Sequence, residues 1–364
     1  MMKKKLLFFG YTMDMGGAEK VMADFLKVLQ PHYDITLALL QAKGALMKEL
    51  PQGIRVVQIR NGLLPYLLFR YLPFFRKRKI NKIANAENCH AAIGFLEGRS
   101  ATWVADIKKD IRRIAWIHTD VDHFDIGIPD TEASASYAKM DAVVLVSQDA
   151  KNSFVRKFPV AADQATVLHN LIDETAILRK AQESVTPNDC FTFINVGRMT
   201  PPKQQVRLVE AARYLKDKGL RFKIQIIGSG SEEEAIKEQI RRSEVSDVVE
   251  LLGLKTNPYP YVKQADCFVL TSDFEGFGIV VKEALLLGVP VISTAVTGVK
   301  ELLSGKQYGI LCDIGTLPVC QAMETVLSEP DILTELRKNL QHYDCANTAI
   351  TDKLFAIIEG ESAC

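Results

Sequence analysis

Short apolar runs recur along the chain, separated by polar or helix-patterned stretches. Residues 6–9 form a continuous apolar run, the pattern of a strand buried on both faces. Residues 12–17 read as a glycine-containing turn. Ala18, Val21, Met22, Phe25, Leu26 and Leu29 then fall at helical spacing, and residues 35–40 return as a strand. This strand–helix–strand unit is the building block of a parallel sheet. Further apolar runs at 91–95, 114–117, 142–146 and 166–168 extend it, so the first half reads as one open α/β sheet.

The second half repeats the pattern. Residues 191–196 predict a strand that ends in Gly197-Arg198, and residues 206–215 predict a helix. A strand at 223–227 ends in Gly228-Ser229-Gly230, and 249–252, 267–270 and 289–293 are further strand candidates. A chain of 364 residues exceeds what one core usually supports. The expected organisation is therefore a Rossmann-like domain over 1–172, a polar linker over 173–189 and a second Rossmann-like domain over 190–345. A terminal helix lies within 346–364 and could pack back on the first domain.

Composition narrows the class. Hydrophobic content of 48% and charged content of 24% describe an ordinary folded protein. A net charge of +1 excludes a globally basic nucleic-acid binder. Seven cysteines without a CxxC pair argue against a disulfide framework or a thiolate zinc site and fit a reducing cytoplasm. Lys3, Lys4 and Lys5 before an apolar run resemble a signal peptide. The run stops early, however, and Asp14 follows without a small-residue cleavage site, so a first buried strand is the better reading. No run approaches the length of a membrane span. Residues 63–79, LLPYLLFRYLPFFRKRK from Leu63 to Lys79, break the pattern. They read equally as a core helix with a solvated end and as an interfacial helix whose Arg76, Lys77, Arg78 and Lys79 meet an anionic membrane.

The stretch 270–294, LTSDFEGFGIVVKEALLLGVPVIST, carries the chemistry. A strand is followed by a turn bearing Glu275-Gly276-Phe277-Gly278 and then a helix that Gly288 can close. Ligands of open α/β sheets collect beyond the carboxyl ends of the strands. Glycines there let backbone N–H groups approach an anion at the helix N-terminus. Glu275 and Glu283 can reach the same crevice, and carboxylates accept the hydrogen bonds of sugar hydroxyls. The segment Gly197-Arg198-Met199-Thr200-Pro201-Pro202-Lys203 adds two cations near a helix start, suited to a diphosphate.

Glu275-x7-Glu283 within EGFGIVVKEALLLGVPVI resembles the family 4 retaining glycosyltransferases of GT-B fold. GRMTPPK resembles their GR-(L/M)-x-x-x-K loop, and Gly16-Gly17-Ala18-Glu19 resembles their first glycine turn. Trp116-Ile117-His118, residues 147–151, residues 169–173 and Ile227-Gly228-Ser229-Gly230 match further family segments, so the likeness covers nearly the whole chain. It implies a GT-B fold, two Rossmann-like domains facing each other across a cleft. Arg198 and Lys203 would neutralise the donor diphosphate, with backbone amides of Phe277, Gly278 and Ile279 and the Gly228 turn. Glu283 would hold the ribose hydroxyls and Glu275 the hydroxyls of the transferred sugar. His118 would face the reacting carbon, and Gly16 and Gly17 would close over phosphate and acceptor. Where the family often has glycine after the loop lysine, this chain has Gln204, which puts the turn geometry in question.

The expectation is a hexosyltransferase that moves sugar from a nucleotide-diphosphate donor, a UDP-sugar, to a lipid-linked glycan in cell-surface polysaccharide synthesis. It would be cytoplasmic and peripheral at the inner membrane face, with no cofactor, no metal and no nucleic-acid partner. A GDP-mannose donor, a soluble acceptor, a sugar-nucleotide epimerase and a silent binding protein stay open as alternatives. His118, Asp120, Asp122, His123 and Asp125 crowd one segment, but an irregular loop does not by itself converge on a metal. Gly228-Ser229-Gly230 lacks the third glycine of a dinucleotide fingerprint, so NAD is not expected. Tyr259 and Tyr261 read as packing residues.

Overall fold

The structure is a computed structural model and describes residues 3–59 and 73–361. The chain forms two compact units, Met1–Leu171 with Ala346–Cys364, and Ile172–Cys345.

In the first unit seven strands form a parallel sheet: β1 (Lys4–Gly10), β2 (Tyr33–Leu39), β3 (Arg55–Gln58), β4 (Ala91–Phe95), β5 (Arg112–Ile117), β6 (Ala142–Leu145) and β7 (Ala165–Val167). Their order is β3-β2-β1-β4-β5-β6-β7, so the winding reverses between β1 and β4. The apolar runs of β1, β4 and β6 are buried along nearly their whole length, as expected for strands covered on both faces. Phe95 and Phe25 pack on Trp116 with ring centroids 4.7 and 4.6 Å away. The C-terminal helix Asn347–Glu359 belongs to this unit. Tyr33 donates to Glu359 at 2.7 Å, Arg112 donates to the Ile357 carbonyl at 2.7 Å, and Phe355 stacks on Tyr33.

The second unit holds β8 (Thr192–Val196), β9 (Lys223–Ile227), β10 (Val249–Gly253), β11 (Cys267–Leu270), β12 (Val291–Thr294) and β13 (Gly309–Cys312), in the order β10-β9-β8-β11-β12-β13. Here the winding reverses between β8 and β11. The pairs that involve these strands are all parallel. β3 and β13 are edge strands of four residues that were not among the strands expected from the sequence.

Two expectations change. The stretch 173–189 contains the helix Glu174–Lys180, capped by the Asp173 carboxylate, which accepts the Ala176 N–H at 3.0 Å. Ile177 and Ala181 are buried with Ile172, Tyr259 and Cys345, so this stretch is part of the second unit rather than a free linker. Residues 63–72 lie outside the described residues. From Pro73 the chain is a helix, Pro73–Glu87. Its Arg76 side chain is only 12% exposed and donates to Asp106 at 2.8 Å and to Glu132 at 3.3 Å. Arg76 is therefore spent inside the fold and is not a head-group contact. Phe74, Phe75, Lys77 and Arg78 are exposed. Among the described residues no helix is long and apolar enough to cross a membrane.

Candidate active site

Two loops leave the carboxyl ends of β8 and β11 at the switch point of the second sheet, where open α/β sheets place their ligands. Hydrogen bonds join them along their backbones. The Asp273 N–H donates to the Pro202 carbonyl at 2.8 Å, and the Thr271 hydroxyl donates to the Lys203 carbonyl at 2.9 Å. Arg207 donates to the Thr271 carbonyl at 2.8 Å and pairs with Asp273 at 2.7 Å. The family-like segments 197–205 and 271–278 thus form one rigid platform.

On that platform the Lys203 ammonium lies 2.6 Å from Glu275 Oε1, and the Ser272 hydroxyl donates to the same oxygen at 2.8 Å. Glu275 is 8% exposed, so its charge is met by a cation and a hydroxyl rather than by water. Arg198 is exposed and forms no ion pair among the described residues. Glu283, also 8% exposed, sits in the helix Ile279–Leu286 and accepts the Tyr259 hydroxyl at 3.2 Å. Tyr259 is therefore more than the packing residue its sequence context suggested. Lys282 on the same helix is buried, and burial pulls its amine down to about 8.

Glycines set the backbone of this platform. Gly278 (φ 77°) is the N-cap of the helix Ile279–Leu286 and supplies no side-chain acceptor to its first amides. Those amides are the ones a phosphate would use. Buried Phe277 precedes it and packs under Gly298, where a Cβ would lie 2.6 Å from the Phe277 Cα. A Cβ on Gly228 would lie 1.9 Å from the Gly197 carbonyl oxygen. Gly228 is thus required by the contact between the loops after β8 and β9, whatever it does for a ligand. Gln204 adopts a left-handed conformation (φ 49°, ψ 39°), a region that glycine reaches without strain.

In the first unit, His118 follows β5. Its ring lies against Phe95 at 4.6 Å and parallel to Trp116 at 5.9 Å. Burial pulls its imidazole down to about 3, so the ring is neutral at ordinary pH. Its backbone N–H donates to Glu97 Oε2 at 3.2 Å. Glu97, which follows β4, was not singled out by sequence. Gly16 is the N-cap of the helix Gly17–Leu29 and carries the Glu19 carboxyl directly over it. In the crowded segment, Asp120 accepts from Ser153 at 2.7 Å and lies 3.0 Å from the His123 ring, while Asp122 pairs with Arg156. Among the described residues no group of three metal-ligating side chains converges.

Two family models match the chain, one described as glycosyltransferase family 4 over residues 15–176 and one as glycosyl transferases group 1 over residues 177–343. This chain belongs to the group 1 glycosyltransferases and has the GT-B fold. An N-acetylgalactosamine-N,N'-diacetylbacillosaminyl-diphospho-undecaprenol 4-alpha-N-acetylgalactosaminyltransferase of Campylobacter jejuni is 26% identical over 92% of this chain and 93% of its own length. A putative colanic acid biosynthesis glycosyltransferase, WcaL of Escherichia coli, is 36% identical over 36% of this chain and 34% of its own. Among solved structures, Anabaena HepE in complex with UDP and glucose superposes with a TM-score of 0.79 at 19% identity, covering 99% of this chain and 100% of that one.

Proposed function

We propose that this glycosyltransferase moves a sugar from a UDP-sugar onto a glycan carried on a lipid diphosphate, with retention at the anomeric carbon and without a metal ion. The observation that carries the reading is the joined loop pair of the second unit, with exposed Arg198, the Lys203–Glu275 pair and the helix opened by Gly278. Cleaving a sugar from a diphosphate builds negative charge on the leaving phosphate and positive charge on the sugar ring. Arg198, Lys203 and the amides of Phe277, Gly278 and Ile279 meet the first. Lys203 has three donors, so it can hold a phosphate oxygen while it keeps its bond to Glu275. Glu275 then accepts from hydroxyls of the transferred sugar, and Glu283, oriented by Tyr259, accepts from the ribose.

The UDP bound to HepE supports the choice of nucleotide. The diphospho-undecaprenol in the Campylobacter relative's name supports a lipid-linked acceptor, and its 4-alpha linkage supports retention from an α-linked donor. The two cations supply the charge a metal would otherwise bring. Exposed Phe74, Phe75, Lys77 and Arg78 support docking on an anionic membrane from the cytoplasmic face.

The test is transfer from UDP- and GDP-sugars to an undecaprenyl-diphosphate oligosaccharide, with and without EDTA. The expected product forms from a UDP-sugar, carries an α linkage and survives chelation. A requirement for magnesium or manganese would contradict the metal-free mechanism, and use of GDP-sugars alone would replace the donor.

A further inference from the structure

The two oxygens of Glu275 are not equivalent. Lys203 and the Ser272 hydroxyl both take Oε1, at 2.6 and 2.8 Å. These two partners differ in stiffness. The lysine side chain is long, flexible and 25% exposed, so its ammonium can follow the carboxylate. Ser272 is fully buried and its hydroxyl turns on one short side chain, so where that hydroxyl points follows from where its backbone lies. The serine, rather than the lysine, therefore sets the direction in which the carboxylate faces.

The backbone at Ser272 is in turn held from β12. The register between β11 and β12 runs as far as the pair Leu270–Ser293. Beyond it the Thr294 hydroxyl donates to the Ser272 carbonyl at 2.6 Å. Thr294 is fully buried, and its β-branched side chain is stiff about its first bond, so this hydroxyl is a fixed post. On the other flank, Thr271 and Asp273 are fastened to the carbonyls of Lys203 and Pro202. The Thr294 bond thus falls on the one residue between those two fastenings, and that residue is the one that aims Glu275.

We propose that Ser272 and Thr294 are positioning residues for Glu275: Thr294 holds the Ser272 backbone, Ser272 ties down Oε1, and Oε2 is thereby presented to the hydroxyls of the transferred sugar. This rests on the UDP-sugar reading above. In that reading the nucleotide is held by Arg198, Lys203, Glu283 and helix amides, none of which depends on the Ser272 hydroxyl. A contact to the departing sugar is sensitive to aim, because small misplacements of a reacting group are costly in rate. Loss of either hydroxyl therefore lowers turnover and leaves nucleotide binding in place.

The experiment measures UDP affinity of the full chain by calorimetric titration. It also measures kcat for hydrolysis of UDP-glucose, UDP-galactose and their 2-acetamido counterparts. The variants are Ser272→Ala, Thr294→Val, Thr294→Ser, and Thr294→Val combined with Glu275→Gln. Ser272→Ala keeps the carbonyl that Thr294 grips, so it cuts the relay at its last link alone. In Ser272→Ala and Thr294→Val the expected kcat is lower by about tenfold, with UDP affinity within about twofold of wild type. Thr294→Ser restores the hydroxyl and brings kcat back to within about twofold of wild type. On top of Glu275→Gln, Thr294→Val lowers the remaining kcat by less than about twofold, because its effect passes through the missing carboxylate. Wild-type kcat in Ser272→Ala overturns the proposal, and that variant decides alone if Thr294→Val does not fold. A UDP affinity that falls in step with kcat overturns it too, as does a Thr294→Val loss that is as large with Glu275→Gln as without it. Either would make Thr294 a general support of the loop. A wild type that binds no UDP, or that binds UDP and hydrolyses none of these sugars, overturns the donor reading itself, and the positioning role falls with it.

Discussion

Lys203 and Glu275 have unequal surroundings, and this separates binding from stability. The lysine side chain is 25% exposed and the glutamate side chain 9%. Lys203→Ala leaves a mostly buried carboxylate with only the Ser272 hydroxyl, so it should weaken donor use and also lower stability by about 1–3 kcal/mol. Arg198→Ala removes an exposed side chain and should weaken donor use with an unchanged thermal midpoint. Steady-state kinetics beside thermal melts check both, and equal melts for the two variants would count against the pairing. Glu283→Ala should mainly raise donor KM and Glu275→Ala mainly lower kcat, because in the proposed arrangement only the second touches the reacting sugar. Reversed phenotypes would mean the two roles are exchanged. These four residues were legible in the chain because each group of them is close in sequence and its spacing is distinctive. Glu97 and Tyr259 were not. Glu97 meets His118 across 21 positions and Tyr259 meets Glu283 across 24, and these contacts exist only once adjacent strands and helices have assembled.

At the scale of elements, the loop after β8 holds a residue in a strained conformation. Gln204 in the left-handed region costs about 1 kcal/mol relative to glycine. Gln204→Gly should therefore stabilise the protein by a few tenths to about 1 kcal/mol in denaturant melts, with donor use intact. A destabilised variant would show that the glutamine side chain holds the turn. Gly228→Ala acts the other way. Its Cβ would strike the Gly197 carbonyl, so loss of function there should come with loss of stability rather than with a clean change in KM. The interior strands were legible because burial on both faces makes them continuous apolar runs. β3 was not, since Arg55–Gln58 carries only two apolar residues, and β13 was not, since its apolar run of Ile310, Leu311 and Cys312 is short. The helix Glu174–Lys180 hid for a related reason, as it buries only Ile177 within an otherwise polar run.

For the whole molecule, the basic end of residues 63–79 divides into two kinds of charge. Arg76 is bound to Asp106 and Glu132, so reversing it would damage the fold and blur any membrane assay. Reversing Lys77 and Arg78 tests the surface alone. Each cation near an anionic bilayer is worth about 1 kcal/mol, so the double reversal should weaken liposome co-sedimentation at low salt by roughly tenfold or more while hydrolysis of free donor persists. Unchanged sedimentation would remove these residues from the docking surface. The central claim, that a nucleotide sugar binds on the joined loops after β8 and β11, is tested most directly by thermal shift. A ligand at 100 times its Kd adds about 2.7 kcal/mol to the native state, a shift of several degrees. UDP-sugars should raise the midpoint of the wild type and leave that of the Arg198→Ala, Lys203→Ala double variant in place. A wild-type midpoint that no nucleotide sugar moves, or a shift that persists in the double variant, would contradict the claim.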